Sequence, residues 1–327
     1  MKPLFVRNIS MRRQLDSFFI AAASTVLITR AFLFLTGWPM LGGESLHIAH
    51  MLWGGLGMLI ALILLFSFIG QRIQYLAALI GGLGFGLFID ELGKFLTHDN
   101  DYFFQPTAML IYFFFIGLYF LIRELDKQTK LTEEERAVNA LLLSQEMILS
   151  QFNEVEKKRL QKLLKRPGKH ASLFKQLQHI MDQTQIRPLL WMEEVSLLWE
   201  KKFFKFAKSK SFAPIVIILL LIQSFLIISS FQTFWTLGTL TFTQQLIVVI
   251  GMGSAVIAAM YVVRGLVLLR KNRLEGFSRI YRANLISILL TQPFAFYVAS
   301  FVPVLSLIIN ILSFIALRYL IELEERK

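Results

Sequence analysis

The chain has 327 residues, of which 55% are hydrophobic, and its mean hydropathy is +0.59. Several apolar runs of at least ~18 residues exclude a soluble globular protein and predict membrane-spanning helices. The absence of cysteine from the sequence excludes disulfides, thiol catalysis and thiolate metal ligands. The formal net charge of +12 falls largely in alternate loops, which is typical of a membrane protein and does not indicate a nucleic-acid partner.

The apolar runs predict an all-α fold, a polytopic helical membrane protein with about eight transmembrane helices in two four-helix halves and a cytoplasmic helical insertion. The eight spans are expected near 17–37, 45–69, 74–97, 106–122, 212–231, 244–268, 283–300 and 302–320. Because loops rich in Lys and Arg alternate with loops poor in them, we expect both termini in the cytoplasm and the protein in the plasma (inner) membrane. Glycines at four-residue spacing, such as Gly82 and Gly86, predict that spans 2 and 3 pack closely together.

Composition divides the chain into four segments. These are a cytoplasmic N-terminus (1–16), a first four-span bundle (17–122), the cytoplasmic insertion (123–210), and a second four-span bundle with a cytoplasmic C-terminus (211–327). Within the insertion, Thr132 and Glu135 have the spacing of a capping box, which predicts a long helix over 132–165. A shorter helix is expected over 171–184.

The end of the insertion alternates aromatic and basic side chains. This pattern predicts a helix that lies on the membrane surface and contacts membrane lipids. The residues expected at that surface are Trp191, Trp199, Lys201, Lys202 and Lys205. The helices of 132–208 are also a candidate surface for a cytoplasmic partner.

Ionisable residues occur in three separate places within or beside the first three spans. Charged groups at membrane depth are costly unless they are paired or hydrated, so they indicate a functional site by default. The candidates are Arg30 in span 1, Glu44, His47 and His50 at the start of span 2, and Asp90, Glu91, Lys94 and His98 at the end of span 3. The predicted topology brings all three groups to one level near the outer side of the membrane.

One interpretation of these residues is a metal-dependent site. The Glu-x-x-His spacing of Glu44 and His47 occurs in carboxylate-bridged metal sites on bundle helices, and this donor set suits zinc, manganese or iron. The predicted metal ligands are Glu44, His47, His50, Asp90 and His98. Asp90 and Glu91 are the predicted catalytic carboxylates, with Glu91 as the general base for a metal-bound water, and Arg30 and Lys94 would bind an anionic group.

The same charges also fit a structural interpretation, because Arg30 and Lys94 can neutralise two of the carboxylates in a buried ion-pair network. Three functions therefore stay open. The first, which the sequence favours, is a divalent-metal-dependent membrane enzyme acting on a lipid or a lipid-linked substrate at the outer leaflet. The second is a transporter or channel for an ion or small solute. The third is a sensor that couples an outer ligand site to the cytoplasmic helices. A homo-oligomer is compatible with each.

Overall fold

The computed structural model describes residues 6–37, 49–98, 104, 106–126, 131–149, 152–165, 168–189, 191–209, 211–237 and 240–325. Within these ranges the chain is helical apart from turns and short connections, and no β-strand occurs in them. The all-α prediction is therefore confirmed.

Fourteen α-helices occur in the described part of the chain. In order they are α1 (Met11–Thr36), α2 (His50–Ser67), α3 (Gln71–Asp90), α4 (Leu92–Leu96), α5 (Thr107–Asp126), α6 (Glu133–Ile148), α7 (Glu154–Leu164), α8 (Ala171–Gln183), α9 (Trp191–Ala207), α10 (Phe212–Leu237), α11 (Phe242–Leu269), α12 (Arg273–Ile286), α13 (Gln292–Ala299) and α14 (Val304–Glu324).

Seven of the described helices are long and apolar enough to cross a membrane, namely α1, α2, α3, α5, α10, α11 and α14. The multi-pass architecture follows from them, but the predicted count of eight spans is not confirmed. The region expected as the seventh span, 283–300, is divided by a π-helical segment, Ser287–Thr291, which separates α12 from α13. The hydroxyl of Tyr112 donates to the carbonyl oxygen of Ile288 (2.7 Å), so a backbone acceptor within that segment has a side-chain donor.

The chain forms two compact units. The first unit comprises Met1–Glu91 and Gly117–Glu194, and the second comprises Leu92–Ile116 and Val195–Lys327. The division of the chain into four segments by composition stays a prediction. Each unit is described separately below.

In the first unit, α3 packs against both α1 and α2. Glycine makes these contacts close: a Cβ atom built on Gly84 would lie 2.6 Å from the carbonyl oxygen of Gly54 on α2. On another face of α3, a Cβ atom on Gly86 would lie 2.5 Å from the carbonyl oxygen of Ala22 on α1. The predicted close contact between spans 2 and 3 is confirmed, and α1 shares it.

Helices α6, α7 and α8 form a small helical domain (133–183) with its own apolar core. The core includes Leu143, Phe152, Leu160, Phe174 and Met181. The predicted capping box is confirmed, because the side chains of Thr132 and Glu135 each accept from the other's backbone N–H.

The single long helix predicted over 132–165 is wrong. Helix α6 ends at Ile148, and α7 begins after a second capping box in which Asn153 caps the N–H of Glu156 (3.0 Å) and Glu156 accepts from the N–H of Asn153 (2.9 Å). This cap satisfies backbone donors that a helix start leaves unpaired, so it favours a new start over a continuous helix. The predicted helix over 171–184 is confirmed as α8.

Candidate functional site

Arg30 on α1 and Asp90 at the end of α3 form a buried ion pair. The guanidinium Nε of Arg30 lies 2.5 Å from Oδ1 of Asp90, whose side chain has no exposed surface. Nη2 of Arg30 also donates to the backbone carbonyl oxygen of Asp90 (2.8 Å). A longer helix would direct the N–H of Lys94 to that carbonyl oxygen, so the guanidinium both pairs the carboxylate and caps the C-terminus of α3.

His50, the first residue of α2, lies between two carboxylates. Its Nε2 is 3.1 Å from Oδ2 of Asp90, and its Nδ1 is 3.2 Å from Oε1 of Glu91. A neutral imidazole carries hydrogen on only one ring nitrogen. Both contacts are therefore satisfied as hydrogen bonds only if the ring is an imidazolium or if one of the carboxyl groups carries the proton.

Glu91 also contacts the backbone of α2. The N–H of Met51 donates to Oε2 of Glu91 (3.3 Å). The first N–H groups of a helix have no partner within the helix and favour a nearby negative charge. The carboxylate thus stabilises the start of α2 while it holds His50.

We call Arg30, His50, Asp90 and Glu91 the charged network. It joins α1, α2 and α3 at one end of the first unit, so the structure brings together four of the eight residues for which the sequence predicts convergence. With an imidazolium at His50, two cations balance two anions, which is the condition under which charges are tolerated in a buried site. The two carboxylates have no exposed surface, whereas 20% of the His50 side chain and 10% of the Arg30 side chain are exposed.

Three of the four network residues, His50, Asp90 and Glu91, lie at helix ends and not within the spans as the sequence predicts, whereas Arg30 lies within α1. Ala49 has extended backbone angles (φ −64°, ψ 134°), and α2 begins after it, five positions later than predicted. Glu91 (φ −86°, ψ 10°) ends α3 well before the predicted end of that span. At 1.5 Å per residue α2 and α3 are roughly 27 and 30 Å long, about the thickness of the hydrocarbon core. The network therefore lies near the edge of that core.

Metal binding is not shown. No group of three or more His, Asp or Glu side chains in the described ranges is arranged to hold a metal ion. The ring nitrogens of His50 both face carboxylates of the network. Glu44 and His47 lie outside the described residues. His98 is exposed, and it belongs with Lys94 to the second unit. The metal ligands, the catalytic roles and the anion-binding roles stay predictions.

The predicted membrane-surface residues lie on a single helix, α9. Their side chains are all exposed, including those of Trp191 and Trp199 at 74% and 71%. Exposed tryptophans are expected where a helix lies in the interface between lipid and water. The contact of α9 with membrane lipids itself stays a prediction.

Within the first unit, the helical domain is attached to the N-terminal segment before α1 and to the start of α3 through polar contacts that the sequence does not predict. Arg7 donates from Nε and Nη2 to the two carboxylate oxygens of Glu135, at 2.8 Å each. Asn139 accepts from the N–H of Ile9 (3.0 Å) and donates to the carbonyl oxygen of Arg7 (2.7 Å). The N–H of Gln71, the first residue of α3, donates to Oε1 of Glu146 (3.1 Å).

A sequence signal for these contacts exists on α6. Glu135, Asn139 and Glu146 are buried on the same side of the helix as the apolar residues Leu143 and Met147. A polar residue within an apolar stripe has to find a partner, since burial without one is costly. The Arg7 guanidinium lowers the pKa of Glu135 to about 2, so this carboxylate is charged at neutral pH.

Comparison with known proteins identifies no relative. No family model matches the chain, and neither does any curated protein or any solved structure. The functional argument therefore depends on the geometry of the charged network and of the helical domain.

Proposed function

We propose that the protein is a membrane sensor, in which the state of the charged network at one end of the first unit is coupled to the helical domain at the other end. One observation carries the proposal. Helices α1 and α3 each supply a network residue near one end, Arg30 and Asp90, and each is held by the helical domain at its opposite end. No contact described above supports the enzyme or the transporter in the same way.

The helices that join the two ends have the length that such coupling requires. From Met11 to Arg30 on α1, and from Gln71 to Asp90 on α3, the chain advances by the same number of residues, which corresponds to roughly 28 Å. That distance is about the thickness of the hydrocarbon core. The close glycine contacts around α3 favour movement of α1, α2 and α3 as packed elements, so that a shift at one end reaches the other.

The chemistry of the network suits a proton as the signal. His50 faces two carboxylates, and a neutral imidazole can donate a hydrogen bond to only one of them. Gain or loss of a proton therefore changes which of the two contacts is a hydrogen bond. Asp90 binds both His50 and Arg30, so such a change also affects the pairing between α1 and α3. Proton uptake thereby acts on the helices that hold the helical domain.

The direction of the signal follows from the distribution of charge. The basic residues Arg7, Arg12 and Arg13 adjoin the end of α1 that contacts the helical domain. Basic residues next to a span favour the cytoplasmic side. The helical domain would then be cytoplasmic, with the surface of 132–208 available to a partner, and the network would lie on the outer side of the plasma membrane.

Hydrogen exchange measured by mass spectrometry on the full chain in lipid nanodiscs tests this function. His50→Leu removes the group between the two carboxylates while leaving the helical domain unchanged in sequence. We expect amide exchange in α6 and α8 to increase several-fold, because weaker network contacts loosen the far ends of α1 and α3.

His98→Gln is the matched control, because it removes a histidine that is exposed and belongs to the second unit. Exchange in the helical domain should be unchanged in this variant. If His50→Leu increases exchange only near the network and leaves α6 and α8 at their original rates, the network is a structural ion-pair cluster and the sensor proposal fails.

A further inference from the structure

The second unit contains a cavity of about 270 Å³ between α10, α13 and α14. Most of its wall is aliphatic or aromatic, with Leu219, Ile227, Phe231, Val298 and Ile309 among the lining residues. A predominantly apolar cavity with a few polar groups is the usual form of a small-molecule site. The few polar groups therefore decide which molecule fits.

Two of the polar groups are serines whose hydrogens are already used. The hydroxyl of Ser230 donates to the carbonyl oxygen of Leu226 (2.9 Å), and the hydroxyl of Ser306 donates to that of Pro303 (2.8 Å). A hydroxyl has a single hydrogen to donate, so these two groups can only accept a further hydrogen bond, and that of Ser306 already accepts one from Nε2 of Gln292 (2.6 Å).

The third polar group in the wall, Gln223, also has acceptor capacity left. Its Nε2 donates to Oγ of Ser287 (3.4 Å), whereas its buried Oε1 has no donor within the described part of the chain. Only 4% of this residue is exposed. A buried amide oxygen without a donor is unfavourable, and a molecule that donates a hydrogen bond to it removes that cost.

The rim of the cavity is apolar and open. Val302 and Leu305 line it with exposed fractions of 81% and 70%. Leu305 lies in the first turn of α14, a candidate membrane span, and Val302 lies in the turn that precedes this helix, so the Leu305 side of the rim is expected to face lipid. This rim suits a molecule that enters from the membrane.

We propose that this cavity binds a long-chain aliphatic alcohol, with the hydrocarbon chain against the apolar wall and the hydroxyl donating to Oε1 of Gln223. The two serines can only accept, and the buried wall atom that lacks a partner in the described part of the chain, Oε1 of Gln223, is also an acceptor, so the site favours a molecule that donates a hydrogen bond. None of the lining residues is basic, so a carboxylate or phosphate has no cation to pair with and is rejected. The proposal concerns the second unit alone and does not depend on the sensor function.

Photo-cross-linking with the full chain in nanodiscs tests this site. The two probes are 1-dodecanol carrying a diazirine on its chain and the methyl ether of the same molecule, which lacks the donor. We expect the alcohol to label peptides of α10, α13 and α14 roughly two- to tenfold more strongly than the ether, the range that one hydrogen bond provides. Unlabelled 1-dodecanol should compete more effectively than dodecane.

Two variants and one control define the site. Gln223→Leu should reduce labelling by the alcohol to that by the ether, and Ala299→Phe, which fills the cavity, should reduce labelling by both. Gln245→Leu on α11 removes an exposed glutamine outside the wall and should change neither. Equal labelling by the two probes would overturn the proposal, as would preference for the ether or labelling spread evenly over all the spans.

Discussion

The two units bury polar groups of different kinds within their apolar helices. In the first unit the charged network places Asp90 and Glu91, without exposed surface, against a guanidinium and an imidazole. In the second unit the buried polar groups between the helices are neutral, and they include Gln223, Ser254, Asn284, Ser287, Gln292 and Asn310. A neutral amide or hydroxyl holds helices together without responding to protons.

In the proposed sensor, this difference separates a responsive region from a static one. Removal of one partner from a buried ion pair leaves a charge that the apolar surroundings cannot solvate. Removal of one partner from an amide contact costs much less, because polar groups in lipid-embedded helices find other partners. The predictions for Asp90 and Asn310 test this ranking, and those for Gly84 and Glu135 test the packing and the helical domain of the first unit.

The largest effect is expected for Asp90→Leu. The substitution leaves the guanidinium of Arg30 buried without its carboxylate, which should lower the free energy of unfolding by about 3–5 kcal/mol. Thermal unfolding in detergent micelles measures the loss. The double variant Arg30→Met, Asp90→Leu should recover most of it, and a double variant as unstable as Asp90→Leu would show that the unpaired charge is not the cause.

A smaller effect is expected where α2 and α3 pack to hold the network. In Gly84→Ala the new methyl group would lie 2.6 Å from the carbonyl oxygen of Gly54 and 2.8 Å from the backbone nitrogen of Met58, so the helices must separate. We expect a loss of about 1–3 kcal/mol in the same unfolding measurement. Gly55→Ala is the control, because a Cβ atom there meets nothing within 4 Å. Equal losses in both variants would contradict close packing at Gly84.

The neutral contacts of the second unit should be weaker still. Asn310 is fully buried and donates from Nδ2 to Oγ of Ser287 (3.1 Å). Asn310→Leu keeps a similar volume and removes this bond, so we expect a loss of about 0.6–1.7 kcal/mol by thermal unfolding. A loss as large as that of Asp90→Leu would remove the contrast between the two units.

The smallest effect concerns the pH dependence of the helical domain. The pKa of Glu135 is lowered by Arg7 from 4.5 to about 2, so its stabilising contribution is complete above pH 4.5 and is lost as the pH falls through about 2. The contribution is modest, since 37% of the Arg7 side chain is exposed to solvent. Unfolding followed by circular dichroism across this range should show the decline.

Glu135→Gln should flatten that pH dependence, because glutamine does not titrate. Glu154→Gln, at an exposed position in the first turn of α7, is the matched control and should retain the decline. An unchanged pH profile in Glu135→Gln would show that the pair with Arg7 contributes nothing.

The sequence predicts the helices better than their ends. Apolar runs determine membrane spans because burial in lipid requires both length and hydropathy, and the convergence of Arg30 with Asp90 follows from topology alone. At the end of α3, the carbonyl oxygen of Asp90 accepts from the guanidinium of Arg30 on α1. In the π-helical segment, the carbonyl oxygen of Ile288 accepts from the hydroxyl of Tyr112 on α5. Contacts between residues so distant in sequence leave no local pattern.

The helical domain illustrates the same limit. The capping box at Thr132 is local and was predicted, and the second one at Asn153 is equally local but was overlooked within an apparently continuous helix. The contact between Glu146 and Gln71 joins residues 75 positions apart. The sequence signal for it is the position of Glu146 on the apolar, buried side of α6.

A double-mutant cycle between the two ends of the first unit tests the coupling most directly. Asp90→Asn perturbs the charged network and Glu146→Gln perturbs the contact of the helical domain with α3, and their effects on the free energy of unfolding are measured singly and together. Independent sites this far apart should add within about 0.3–0.5 kcal/mol. The sensor account predicts a coupling energy of about 1–3 kcal/mol, and additivity within the experimental error would contradict it.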